Sequence, residues 1–545
     1  MQRRLIPALV FALSISASTT ALAAGPIASR DMVDYLKFRP VSWSAGNWFA
    51  WPSFTRYPSP NNATDYIGSL VLPPCDGKIK NDCIVSLEYR RGNEAWKKGT
   101  FKRYVPFSEK YIALSGNQTS KSAEPSHNFP ESAMSGLWEF PGLSHPGGSE
   151  FMFNTSIGGE FSGMRNPNGT DAKFQFDAVG PIMRLDAVSI IADSSEYQTP
   201  DLDRKYGDWC SSGEIPRTCI RKFDFPEGVE FRATLNFKLA KQFWSNYNWV
   251  IGYGLNPSIT ASNNSDGSTN YSFSAAPVYR TFPVSLIPKT EQGFKDWLDS
   301  QQAFFKESSP NQEFKEDGSP AAFIAWRDFR VSQGIDGEQS GAFSAWPFLE
   351  KYLAPELAVD IAEWGFRKAQ PTGEDFNWVS RCSTGGEISG ISATNASIAK
   401  PAPPHWNEKN QALEFQIAAP HTFADGTPIV GVYYLSLSKK VADCLWGVNV
   451  ANAKATVSVT YSDGVVEITN STMKVNANAV DFSISGFHYS VNQFSIKLET
   501  QVNKTPTVTD KPKKVIKSIT CVKGKSSKKV SGVAPKCPPG YKLKR

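Results

Sequence analysis

Val229-Glu230-Phe231-Arg232-Ala233-Thr234-Leu235-Asn236-Phe237-Lys238-Leu239 alternates apolar and polar side chains without a break. Successive side chains of a strand point to opposite faces, so a period of two predicts a strand with one buried face. The alternation recurs at Leu413, Phe415 and Ile417, at Ala455, Val457, Val459 and Tyr461, and at Phe494, Ile496 and Leu498. Turn chemistry divides such runs. Asn166-Pro167-Asn168-Gly169, Ser265-Asp266-Gly267 and Ser462-Asp463-Gly464 are built from residues that tolerate or stabilise tight backbone turns. The last leads into Val465-Val466-Glu467-Ile468, which predicts a hairpin. The chain therefore reads as mainly β, a multi-domain β-sandwich-like architecture.

One region departs from this period. From Thr290 to Lys368 the apolar spacing lengthens toward that of a helix. Thr290 suits an N-cap ahead of Phe294, Trp297, Leu298, Phe304 and Phe305. Ala321 to Val331 predicts a second short helix, after the breaks at Pro310 and Pro320. Pro355 suits the first turn of a third helix running to Ala369, with Leu357, Val359, Ile361, Ala362 and Phe366 as its apolar residues. Residues 286–372 thus read as a small helical insertion. A large β domain, one unit or two, precedes it at 25–285, and a second β domain follows at 373–500. A chain of 545 residues accommodates such a division. Its 40% hydrophobic content is enough for packed cores.

The two ends carry the clearest addresses. Arg3 and Arg4 precede a short apolar run from Leu5 to Ile15, and a small-residue site follows at Ala21-Leu22-Ala23. This is the pattern of a signal peptide over residues 1–24. The apolar run is shorter than the roughly 20 residues of a membrane span, and no transmembrane span is expected elsewhere. At the other end, Gln501 to Arg545 holds 13 lysines and arginines against one acid, Asp510. The whole chain is only +6, so the residues before the tail are net acidic. Residues 501–517, rich in Thr, Lys and Pro, read as a linker. Residues 518–545 read as a short basic module.

Eight cysteines fall into four sequence-local groups. Nearest-neighbour pairing joins Cys75 to Cys83, Cys210 to Cys219, Cys382 to Cys444, and Cys521 to Cys537, each within one apparent module. An exported chain meets an oxidising compartment, where disulfides are the default. The rival reading, a metal site, finds no C-x-x-C, and the five histidines show no ligand spacing.

The end of the chain reads Ser518-Ile519-Thr520-Cys521-Val522-Lys523-Gly524-Lys525, then Pro535-Lys536-Cys537-Pro538-Pro539-Gly540-Tyr541-Lys542. It resembles a tail found on secreted actinobacterial cell-envelope proteins to which no activity is assigned. The stretch from Asp443-Cys444 through Val457-Ser458-Val459 is similar to a β domain that precedes this tail in some of them, with Leu445-Trp446 departing from the usual pattern. The resemblance is limited to this C-terminal part. It implies export and an envelope setting, and no reaction.

Charge alone gives the tail a compatible role. Lys511, Lys513, Lys514, Lys517, Lys523, Lys525, Lys528, Lys529, Lys536, Lys542, Lys544 and Arg545 repel one another and stay solvated. Such a run binds polyanions, with an affinity that falls as salt rises. The partner expected is a cell-envelope polyanion or polysaccharide, and export argues against nucleic acid. The bland alternative is a charged, solubilising end.

No local motif marks a reaction. There is no H-E-x-x-H, P-loop or dinucleotide fingerprint, so no cofactor or metal is expected. Gly386-Glu387-Ile388-Ser389-Gly390 resembles a nucleophile elbow only superficially. Asp201, Asp203 and Asp208 cluster before Cys210, but Arg204 and Lys205 partly neutralise them and favour a solvated loop over a calcium site. Glu150 and Glu160 are typical of the carboxylate pairs any chain of this size offers a glycosidase mechanism. Aromatic clusters give a better ligand signal. Trp43, Trp48 and Trp51 lie among small polar residues and suit stacking on sugar rings, with burial in a core as the alternative. Trp244, Tyr247 and Trp249 adjoin the long alternating strand, which favours core.

Two functions follow. One is an exported non-catalytic cell-surface protein, secreted and surface-associated, that binds glycan or another envelope component and is retained by its basic tail. The other is a secreted polysaccharide-acting hydrolase with a β-rich catalytic domain. A paired-carboxylate cleft lined by tryptophans would favour the second.

Overall fold

Val229–Phe237 is a strand. Val229, Phe231, Ala233, Leu235 and Phe237 are buried, while Glu230, Arg232 and Thr234 face outward. The computed structural model describes residues 53–58, 64–106, 130–165, 171–193, 208–210, 217–238, 244, 248–283, 293, 296, 343, 346–347, 350, 358–369, 377–383, 387–400, 402–447, 449–461, 466–468, 471–489, 492–500, 517–524, 526–532 and 536–544. Residues 1–24, where a signal peptide is expected, and Trp43, Trp48 and Trp51 lie outside these residues. The described chain is mostly strand.

Residues 1–500 form one compact unit and residues 501–545 another. Within the first, a 15-stranded sheet provides a central layer. Its main path runs Ser53–Pro58, Thr64–Val71, Glu150–Arg165, Asp171–Asp193, Ala358–Lys368, Trp249–Tyr253, Gly390–Thr394, Val430–Ser438, Ala479–His488 and Ser471–Val475. Trp249–Tyr253 runs parallel to Gly390–Thr394, with Trp249 beside Gly390 and Gly252 beside Ala393. Strands from the 25–285 and 373–500 stretches therefore share one sheet. Gly390 permits this approach: a Cβ there would stand 2.3 Å from the Trp249 ring and 2.7 Å from the Ser436 carbonyl oxygen.

A five-stranded sheet covers one face of the central layer. Its order is Leu255–Asn263, Thr269–Ala276, Val229–Phe237, Cys83–Arg91 and Lys97–Lys98. Phe231, Leu235, Phe237 and Phe273 pack there with Phe151, Phe153, Trp364 and Phe366 of the central sheet. A six-stranded sheet covers the opposite face. It runs Ile398–Ala399, Ala412–Ala418, Asn492–Thr500, Ala453–Thr460 and Val466–Ile468, with His405–Asn407 also on Ala412–Ala418. Leu413, Phe415, Val457, Phe494 and Ile496 meet Tyr433, Leu435, Leu437 and Phe482. The Phe415 ring stacks on Tyr433 at 3.6 Å and on Phe494 at 4.8 Å. Side-chain alternation explains the three layers: Tyr433 and Leu435 point into one core while Tyr434 packs against the other.

The third helix expected from sequence is a strand, Ala358–Lys368. Both of its faces are covered: Ala362, Trp364 and Phe366 join one core, and buried Glu363 on the other face meets Arg280. A strand buried on both sides loses the alternation that identifies it, and a short apolar run then reads equally as helix. The first two expected helices fall outside the described residues, apart from Gly293 and Asp296. The α-helices described in full are Asn377–Cys382 and Lys439–Trp446. Ser438 caps the second by accepting from the Val441 amide, and Gly447, at φ 65°, ends it in the left-handed conformation. Its Leu445 and Trp446 are buried, and Trp446 meets Trp406 edge-on at 5.6 Å.

Disulfides join Cys75 to Cys83, Cys382 to Cys444 and Cys521 to Cys537. Cys219 is also disulfide-bonded, and the ladder sets it directly across from Cys210. The Cys382–Cys444 bridge ties the two helices together.

Candidate functional site

A groove of about 1010 Å³ opens beside the central sheet. Its floor is the outer side of Val430–Ser438 and Ala479–His488, where Tyr434, Ser436, Ser438 and Asp481 alternate with the buried Tyr433, Leu435 and Leu437. Register places Ser436 opposite Asp481 and beside Ile391. The wall is Leu255–Asn263, an edge strand of the five-stranded sheet. Every residue from Pro257 to Ala261 reaches the groove, as expected where a strand presents its edge and not one face. Pro257 sits at a bulge in this strand, a position that tolerates its missing N–H.

The lining is rich in hydroxyls and amides, with the half-buried Tyr434 ring among them and Tyr271, largely buried in the core, at its edge. Glu387 and Asp481 supply two carboxylates, and among the described residues lining the groove there is no Lys, Arg or His. Tyr434 donates its hydroxyl proton to Asp481 Oδ1 at 3.1 Å, and Asn476 Nδ2 donates to Asp481 Oδ2 at 2.8 Å. Burial first, then the Asp481 charge, pushes the Tyr434 hydroxyl above its ordinary value, so it stays a neutral donor. Burial, with Glu387 next, pushes Tyr271 up to about 12.

A smaller cavity of about 230 Å³ lies between the central and six-stranded sheets, floored by Tyr253, Phe415 and Tyr433. Arg280 reaches it, but its guanidinium is held by protein groups: Nη1 donates to Glu363 at 2.7 Å, Nε to the Ala396 carbonyl at 2.8 Å and Nη2 to that of Ser397 at 2.9 Å. A second buried charge cluster sits on the central sheet. Arg184 Nε bonds Asp186 at 2.8 Å, and Lys222 Nζ lies 3.2 Å from the same oxygen. Burial, then the Arg184 charge, pushes the Lys222 ammonium down to about 8.

The sequence-derived candidates are dispersed. Glu150 and Glu160 lie ten residues apart on one strand, Glu150–Arg165. At about 3.3 Å per residue their backbones are roughly 33 Å apart, against the roughly 5–10 Å a glycosidase pair needs between its carboxyl groups. Glu150 is instead paired with Arg103 at 2.7 Å. Ser389 is buried and precedes a strand, not the helix that a nucleophile elbow requires. Asp201 and Asp203 lie outside the described residues, and no group of three or more His, Cys, Asp or Glu among those described is arranged to hold a metal. Trp244 and Trp249 are fully buried core residues.

In the C-terminal unit, Lys517–Lys523 pairs with Ser526–Gly532 on one side and Lys542–Leu543 on the other. Cys521 is buried, while Lys523, Lys528, Lys529, Lys536, Lys542 and Lys544 are exposed. Lys529 stands opposite Thr520 and Lys542 opposite Val522, on one face. Lys528, opposite Cys521, takes the other face. Positive charge is therefore spread over both sides of the small sheet. Lys517 is placed by its backbone only, and Lys511, Lys513, Lys514, Lys525 and Arg545 lie outside the described residues.

Sequence reasoning missed the groove because its residues come from strands far apart in the chain. The only local signal was the run of Ser, Thr and Asn from Ser258 to Asn270, which reads equally as a turn with polar flanks. No known protein family, curated protein or solved structure matches this chain.

Proposed function

We propose that this is an exported, non-catalytic envelope protein whose body holds a glycan in the groove and whose basic C-terminal unit retains it on a wall polyanion. The observation that carries the reading is the groove lining: hydroxyl and amide side chains around the half-buried Tyr434 ring, on a floor of sheet. Sugars present hydroxyls that need such partners and C–H faces that pack on aromatic rings. The volume stands at the upper end of the roughly 300–1,000 Å³ usual for ligand pockets, which suits an oligomer. The disulfides fit an oxidising compartment. Exposed lysines on both faces of the C-terminal sheet suit a flexible, charged polymer.

Glu387 and Asp481 keep the hydrolase as a second reading, because both carboxylates border the groove. Against it, no tryptophan is among the described residues lining the groove. The test is retention of the full chain on immobilised wall polysaccharide, beside a Ser436→Trp variant that fills the groove. Loss of high-salt retention in the variant supports the binding role. Equal retention contradicts it. Shortened polysaccharide in the wild-type sample, absent with Glu387→Gln, would replace binding with hydrolysis.

A further inference from the structure

The two surfaces carry opposite charge. The groove holds Glu387 and Asp481 with no basic side chain among its described lining residues, while the described part of the C-terminal unit exposes six lysines. We infer that the groove selects against anionic glycans and takes neutral or amino-bearing ones, so that the two surfaces engage two chemically different polymers. This rests on the glycan-binding reading of the groove and narrows its ligand class.

The argument is one of unlike solvation and like charge. A uronate or phosphate entering the groove would approach the two carboxylates; Lys474 stands opposite Asp481 on the outer neighbouring strand and offsets part of that charge, but it is not among the residues lining the groove. Partial enclosure by protein raises that repulsion above its value in open water. A neutral sugar meets no such barrier, and its hydroxyls can donate to carboxylate oxygens, a stronger bond than one between neutral groups. An ammonium on an amino sugar gains more, since a charged donor then meets a charged acceptor. Asp481 is fixed for this role. Tyr434 and Asn476 each donate to one of its oxygens, and each oxygen keeps lone-pair capacity for a ligand. Selection of this kind works through repulsion of the wrong partner as much as attraction of the right one. It also keeps the groove free of the polymer that the lysines bind.

The experiment uses the full chain with all 13 lysines and arginines of residues 501–545 changed to Gln, so that the basic unit contributes little. It is applied to a carbohydrate array printed with neutral, amino-bearing, and uronate- or phosphate-bearing oligosaccharides. The expected hits are neutral and amino-bearing glycans, with anionic members of the same backbone at least tenfold weaker. Adding Glu387→Gln and Asp481→Asn should bring anionic and neutral members within about threefold of each other. Anionic members bound as tightly as neutral ones would overturn the inference and leave glycan binding standing. An unchanged ranking in the double groove variant would do the same. No hit of any class, with Tm unchanged from the wild type, would remove the glycan reading and this inference with it.

Discussion

Tyr434 and Asp481 stand on neighbouring strands of the central sheet, joined by a 3.1 Å hydrogen bond from the tyrosine hydroxyl to the carboxylate. Ser436, two residues along from Tyr434, is directly opposite Asp481 in the ladder. The bond is diagonal and fixes both side chains against the groove floor. Tyr434→Phe should weaken glycan binding about tenfold by releasing Asp481 while leaving the apolar ring in place, with Tm changed by little. Calorimetric titration measures the first and differential scanning calorimetry the second. A large fall in Tm would make this bond structural.

The Cys382–Cys444 bridge closes a separation of 62 residues and ties two helices packed on the sheet, whereas Cys521–Cys537 spans 16 in a separate unit. Replacing both cysteines of the first by Ser should cost the body about 2–5 kcal/mol, read as a lower denaturation midpoint. The same change at the second should leave the body's midpoint unmoved. A matching loss from both would contradict the division at Thr500.

Lys368 is held down to about 8 by burial alone. Its folded value lies below its unfolded one, so the penalty of keeping it charged is complete below about pH 8. The penalty fades as pH rises toward the unfolded value, because the unfolded chain binds more protons in that window. Lys368→Met should therefore stabilise the fold at pH 7 by about 1–2 kcal/mol and remove the rise between pH 8 and 10. Denaturant titrations at several pH values check both.

Tyr433 works in the opposite sense. Burial raises its hydroxyl well above the usual value, so its contribution is complete below about pH 10, the unfolded value, and is lost at higher pH. Tyr433→Phe should shift alkaline unfolding to higher pH while keeping the stack on Phe415. Unchanged alkaline unfolding would show that other groups control it.

Deleting residues 506–545 should release the protein from the cell surface into the medium, because the basic unit folds apart from the body. Fractionating cells and medium measures this. Unchanged retention would remove the tail from the account.

The strands with one solvated face were legible because their chemistry alternates. Val229–Phe237 matches its expected faces except at Asn236, which is buried and bonded to Ser268 and Asn270. Leu413, Phe415, Val457, Val459, Phe494 and Ile496 all lie on predicted strands. That these strands are neighbours, with Phe415 across from Phe494 and Val459 on its other side, was not legible, since pairing is set by packing between distant segments. Ala358–Lys368 failed for the opposite reason: burial on both faces erased its period. The groove left no motif either. Tyr434 and Asp481 are 47 residues apart in sequence, and each alone is an ordinary strand residue. Trp249 was legible as core because it adjoins a run already committed to burial.

The most direct test of the central claim is a salt series. The full chain and a variant with all 13 lysines and arginines of residues 501–545 changed to Gln are bound, from low to high ionic strength, to purified wall material that carries both an anionic polymer and a neutral glycan. The account predicts that the wild type loses a large part of its binding as salt rises. The variant should keep a weaker, nearly salt-independent binding through the groove. Salt-dependent binding of equal strength in both proteins would contradict the assignment of the anchor, and complete loss of binding in the variant would contradict the groove.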